Sequence, residues 1–279
     1  MIDYTGGLSL LMEDIVARVP TLSFIDISDV LVFARFGRSG HSGPVATCHS
    51  LSLPASEPGY YFWRDRTSNR ITRRSEWFVA KSPVVTIAGH RKRYMISFSL
   101  PRFCDQALRR SRKERFYRRA TDCWVAKLDT VIHELYHIDP QHNGIRRLDR
   151  ADGTCASNAH TPQFFTQVAE MVSQYLDSKP DPAVYEFLLH DFDSLRSKFG
   201  GVSGTCFSPF PSYPQRFLER LDVQPAALDP ALEGVDVEPW EQTTRRTSYT
   251  EEHLHVREFL PESSKRVPDA GSKRQERAA

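Results

Sequence analysis

The run His133-Glu134-Leu135-Tyr136-His137 sets two imidazoles four residues apart, with a carboxylate directly after the first. On a helix, residues i and i+4 share one face about 5–6 Å apart at Cβ, so both rings can reach a single metal ion. Glu134 then stands where it could take a proton from a water in a coordination position the protein leaves open. The chemistry of such a set is metal-assisted hydrolysis with Glu134 as general base. His-Glu-x-x-His also arises by accident, and the surrounding residues argue against accident here. The ten residues before it lack Gly and Pro and space Trp124, Leu128, Val131 and Leu135 as one face of an amphipathic helix. Pro140 ends that helix and Asn143-Gly144 turns the chain.

A catalytic zinc usually takes three protein ligands, so one more is expected downstream. Asp139 adjoins the helix end with its side chain directed away from the face of His133 and His137. His142 lies five residues past His137, beyond the helix-ending Pro140. His160 precedes Thr161-Pro162, which reads as N-cap and first position of a helix carrying Phe164, Phe165, Val168, Met171, Val172 and Tyr175. A ligand at the mouth of a packed helix is held rigidly, so His160 is the favoured third ligand. His142 stays open as ligand or as a donor beside the metal. Cys155 ranks below both.

The segment from His133 to Arg147, with Pro140, the Asn143-Gly144 turn and the paired Arg146-Arg147, resembles a family of bacterial and phage zinc metallopeptidases. Asp14-Ile15-Val16, Leu22-Ser23 and Leu100-Pro101-Arg102-Phe103 extend the similarity to roughly residues 12–205. The chain is also similar to SprT-like and other minimal zincin proteases. The resemblance implies a zincin-like α+β fold, one Zn2+ per chain and a downstream His as third ligand. It implies a protein or peptide substrate, without saying which; His142 departs from the aromatic residue expected at its position. Tyr136, His142, Arg146 and Arg147 are the candidates to stabilise the oxyanion or bind substrate.

The elements that must position these residues are readable in outline. Leu8, Leu11, Ile15, Val16 and Val19 predict a helix over 8–19, stopped by Pro20. Strands are expected over 30–36, 45–53, 60–64, 76–80, 84–88 and 94–100, forming a curled, mostly antiparallel sheet before the metal helix. In the last of these, Tyr94, Ile96, Phe98 and Leu100 alternate with Met95, Ser97 and Ser99. That pattern predicts one buried face, and an edge strand there would align an extended peptide. Val184, Leu188, Phe192, Leu195 and Phe199 predict one helix from Asp181-Pro182 to Gly200-Gly201. Residues 1–222 are expected to form the zincin-like domain. Residues 223–279 read as a mostly disordered polar tail, with His253 and His255 solvated.

With 279 residues, 40% hydrophobic, the chain can bury a sizeable core, and a net charge of +2 selects no class of partner. Neither a membrane span nor a signal peptide is indicated. Cys48, Cys104, Cys123, Cys155 and Cys206 show no paired spacing, which fits reduced thiols in a cytoplasm. Arg109, Arg110, Arg112, Lys113, Arg115, Arg118 and Arg119 form a basic block around Phe116 and Tyr117. A solvated face is the favoured reading of this block. The competing function is a non-catalytic zinc protein presenting it to nucleic acid.

Overall fold

The computed structural model describes residues 1–36, 43–52, 58–108, 111–117, 124–146, 160–208, 214–222, 232, 234–238 and 246–261, with Arg112 described by its backbone alone. In chain order the strands are β1 (Ile2–Asp3), β2 (Val30–Phe36), β3 (Ala46–Ser50), β4 (Phe62–Arg64), β5 (Ile71–Ser75), β6 (Phe78–Lys81), β7 (Val84–Ile87), β8 (His90–Lys92), β9 (Tyr94–Leu100), β10 (Val202–Phe207), β11 (Phe217–Arg220), β12 (Asp236–Glu238), β13 (Ser248–Tyr249) and β14 (Leu254–Phe259). The helices are α1 (Tyr4–Arg18), α2 (Trp124–Tyr136), α3 (Pro162–Asp177), α4 (Pro182–Tyr185) and α5 (Phe192–Lys198). The fold is mixed α+β. In place of the one curled sheet expected, the described strands form small sheets of two or three strands, with parallel and antiparallel pairs.

The central sheet has the order β2-β9-β3, with β9 parallel to β2 and antiparallel to β3. Period-two alternation divides its side chains between two clusters. Val30, Val32, Tyr94, Ile96 and Phe98 join the main core, and Leu31, Phe33 and Met95 pack on the other face against Val85, Phe207 and Tyr249. Burial on both faces is what a strand paired in parallel commonly meets. The expected one-sided burial of residues 94–100 is therefore corrected: all seven are buried. Their expected edge position is corrected as well, since β9 is paired on both sides, and β3 forms the edge toward α2.

Helix α1 supplies Leu8, Leu11, Met12 and Ile15 to the main core. It starts four residues before the expected position because the Asp3 carboxylate accepts the Gly6 N–H and caps it. The single helix expected after residue 181 is replaced by α4, a 3-10 turn (Glu186–Leu189) and α5. His190 is extended, and Asp191 caps α5 by accepting the Ser194 N–H. The buried Lys127 of α2 fills that break, its Nζ donating to Leu188 O at 2.9 Å and His190 O at 2.6 Å. Replacing Lys127 with Met should strand both carbonyls and lower the unfolding free energy by about 2–4 kcal/mol, measured by urea denaturation.

The tail expectation is corrected where it is described. β14 pairs with β10 along its whole length, from Val202↔Phe259 to Phe207↔Leu254. His253 is buried rather than solvated, against Arg246 and the Thr250 backbone. No helix among the described residues is long and apolar enough to cross a membrane.

Candidate metal centre and its cleft

Helix α2 divides its faces between core and cleft. Leu128, Val131, Ile132 and Leu135 are fully buried in the core. Thr130, His133, Glu134 and His137, at i, i+3, i+4 and i+7, line a cleft of about 640 Å³, a size usual for small-molecule and peptide sites. Residues 43–48 form the opposite wall, including most of the edge strand β3. His160 and Ile145 also line it, as do Gln106 and Lys113.

His160 comes to the site because α3 begins immediately after it. The Thr161 hydroxyl accepts the Phe164 N–H at 3.2 Å and Pro162 holds the first turn, as expected from the sequence. The three Nε2 atoms form a nearly equilateral triangle: 3.1 Å between His133 and His137, and 3.0 Å from each to His160. Fully buried Phe164 packs against all three rings at centroid distances of 4.8–5.5 Å, and Phe165 stacks on His160 at 8°. These two phenylalanines, read from the sequence only as a helix face, fix the directions of the imidazoles.

The triangle is one that could hold a metal ion. A neutral imidazole nitrogen either donates or accepts, so among three mutual contacts at least one must set like against like. A cation bonded to all three lone pairs at about 2.0–2.1 Å removes that conflict. Burial, then the neighbouring His160 and Arg146, pushes the His137 pKa down to about 3, which keeps this ring in the neutral form that binds metals. His133, His137 and His160 thus form a group that could hold a metal ion.

Glu134 lies almost wholly buried beside the triad. Burial pushes its carboxyl up to about 7, against the opposing pull of the Cys48 backbone N–H, Lys113 and Arg35. That N–H comes from the free edge of β3. Ser99 N donates to Val45 O and Leu51 N to Arg93 O, so the odd-numbered residues of this stretch pair with β9. Alternation turns the backbone groups of Ala46, Cys48 and Ser50 outward.

The other candidates are arranged differently. His142 adopts a left-handed backbone (φ 57°) in the turn after α2 and lies beside Phe24 and Tyr94, outside the metal group. The Asp139 carboxylate accepts the Gln141 and Asn143 N–H groups and shapes that turn. Tyr136 is turned to α3, where its hydroxyl donates to Gln167. The Arg146 guanidinium lies 4.3 Å over the Tyr136 ring and 5.7 Å from Phe24, and its backbone N–H donates to His137 O. Neither Tyr136 nor Arg146 is among the residues lining the cleft. Arg147 and Cys155 lie outside the described residues.

The basic block is corrected in part. Lys113 points inward, with Nζ 2.8 Å from the Asp129 carboxylate, 2.7 Å from Ala126 O, and bonded to Thr130. Tyr117 donates to Asp129 as well. Lys113, Gln106 and Thr130 therefore make a polar part of the cleft lining. Arg115 is exposed, its guanidinium 4.6 Å over Phe116. Arg109, Arg110, Arg118, Arg119 and the Arg112 side chain lie outside the described residues. Comparison with protein-family models, with curated proteins and with solved structures finds no match to this chain, so the reading of the site rests on its own residues.

Proposed function

We propose that the chain is a zinc-dependent peptidase, with His133, His137 and His160 as metal ligands and Glu134 as general base. The observation that carries this reading is the convergence of the three Nε2 atoms within 3.1 Å in the cleft that Glu134 also lines. A structural zinc usually closes with four protein ligands and has no use for a base, whereas three ligands leave a position for water. Zinc bound there would lower the pKa of its water toward neutrality and polarise a substrate carbonyl. The imidazole set favours zinc among the common divalent ions. Glu134 takes the proton from the attacking water and passes it to the leaving nitrogen. The resemblance to the bacterial and phage metallopeptidases and to SprT-like proteases belongs to this proposal. So does the cytoplasmic setting, supported by free, buried Cys48, Cys104 and Cys206.

The peptide specificity of the reading comes from β3. Its outward Ala46 N–H and C=O and Cys48 C=O can pair with an extended substrate as an added strand, the role expected for residues 94–100 and now transferred to the true edge. Proline at Ala46 deletes one outward N–H without touching the β9 ladder, because edge positions of this kind tolerate it. Ala46→Pro is expected to keep its metal and lose about five- to tenfold in kcat/KM, the worth of one hydrogen bond.

The direct test uses a quenched-fluorescence peptide library and the zinc-loaded protein. Cleavage that stops with a zinc chelator and returns with added Zn2+ supports the proposal. A fully loaded protein that cleaves no member of the library, nor an unfolded protein substrate, would sink it.

A further inference from the structure

Residues 61–70 are exposed without interruption, and they include Tyr61, Phe62 and Trp63 at 54%, 46% and 37% exposure. Aromatic strand residues ordinarily bury one face of their sheet. Here β4 is exposed throughout, although it is paired with β5 in the register Phe62↔Arg74 and Trp63↔Arg73. The hairpin is well built: Asp65 N donates to Arg70 O and Asn69 N to Asp65 O, both at 2.9 Å. The Asp65 carboxylate closes the turn by accepting the Thr67 and Ser68 N–H groups.

Strand alternation puts half-buried Tyr60 with Phe62 and Arg64 on one side, where they line a concavity of about 540 Å³ together with Arg70 and the single acidic residue Asp236. The Arg64 guanidinium lies 5.0 Å from the Phe62 ring and that of Arg74 lies 6.0 Å from Tyr60. On the other side Arg73 lies 5.3 Å from Trp63 and is paired with Glu238. Arg64, Arg66 and Arg70 enter no ion pair among the described residues. The one acidic side chain within 60–75, Asp65, is committed to the turn.

We propose that the β4–β5 hairpin is a binding site for single-stranded nucleic acid, with unpaired bases stacking on Tyr60 and Phe62 and phosphates held by Arg64, Arg66 and Arg70. Aromatic rings followed by arginines on one side of a strand offer stacking surface and positive charge to a chain that carries a base and a phosphate in every nucleotide, and stacking of this kind needs bases that a duplex does not offer. A membrane surface is the poorer fit. The tip that would have to enter lipid is Asp65-Arg66-Thr67-Ser68-Asn69, which is polar throughout, and the aromatic residues precede it. This site is independent of the metal centre and of the hydrolytic reading.

The test is fluorescence anisotropy of labelled oligothymidylate titrated with the full chain, across a salt series. Binding should weaken with salt, with a log–log slope of about −0.7 per phosphate neutralised. Phe62→Ala should weaken it about tenfold or more. Arg66→Ala should flatten the salt slope by about one phosphate. Both positions are exposed, so circular dichroism should be unchanged, and Glu134→Gln should bind like the parent. Three results would each overturn the proposal: no binding at low salt, undiminished binding in Phe62→Ala and Arg66→Ala with loss only on replacing Arg109, Arg110 and Arg115, or binding to anionic phospholipid vesicles without binding to the oligonucleotide.

Discussion

Glu134→Gln is expected to retain about one metal ion per chain while peptide hydrolysis falls by about 10²–10⁴, the usual worth of a positioned general base. That loss corresponds to about 3–5 kcal/mol of barrier. The amide is nearly isosteric with the carboxylate, and none of the proposed metal ligands is altered. The Cys48 N–H, Lys113 and Arg35 all favour the charged form of Glu134 against the cost of burial. A neutral glutamine relieves that cost, so the variant should be at least as stable as the parent in a urea titration. The combination of full metal occupancy, retained stability and lost turnover separates a base from a structural residue. Turnover within a few-fold of the parent would remove Glu134 from the mechanism and leave the triad as a metal site without assigned chemistry.

Local spacing made the metal helix legible, because the i, i+4 geometry of the two histidines and the i, i+3, i+4 core face are both properties of one continuous segment. The third histidine of the group was legible for the same reason: Thr161-Pro162 marks a helix start wherever it lies in space. Strands β2 and β9 have the bounds that their β-branched and aromatic runs predict. What the sequence could not convey is who pairs with whom. The edge beside Glu134 is β3 and not β9, and β14 completes a sheet from a region whose composition reads as tail. Pairings of this range depend on the whole fold and leave no local signal. The direction of Lys113 belongs to the same class. In a run of arginines it reads as solvated, yet a buried acid one element away, Asp129, draws it inward. The 60–64 segment was legible as a strand from its aromatic residues, but the assumption that such a strand buries a face concealed its exposure.

Metal content should divide the two histidines that compete for the third position. His160→Ala is expected to lose its ion on dialysis at micromolar protein, and His142→Ala to keep about one per chain. Four-ligand zinc sites bind with about 10–16 kcal/mol, so a ligand is worth about 3–4 kcal/mol, a factor of 10²–10³ in affinity. The geometry behind the division is specific. His160 Nε2 lies 3.0 Å from both partner nitrogens, whereas His142 is carried by a left-handed turn to the side of Phe24 and Tyr94. Removing His160 leaves His133 and His137 at one helical turn, a pair that keeps residual affinity but no longer encloses the ion. Its imidazole is exposed, so the alanine variant should fold, and the loss of metal would then be a loss of ligation. Loss of metal from His142→Ala with retention in His160→Ala would reverse the assignment and place the ligand set on the turn after α2. Retention in both variants would mean that a residue outside the described set completes the site.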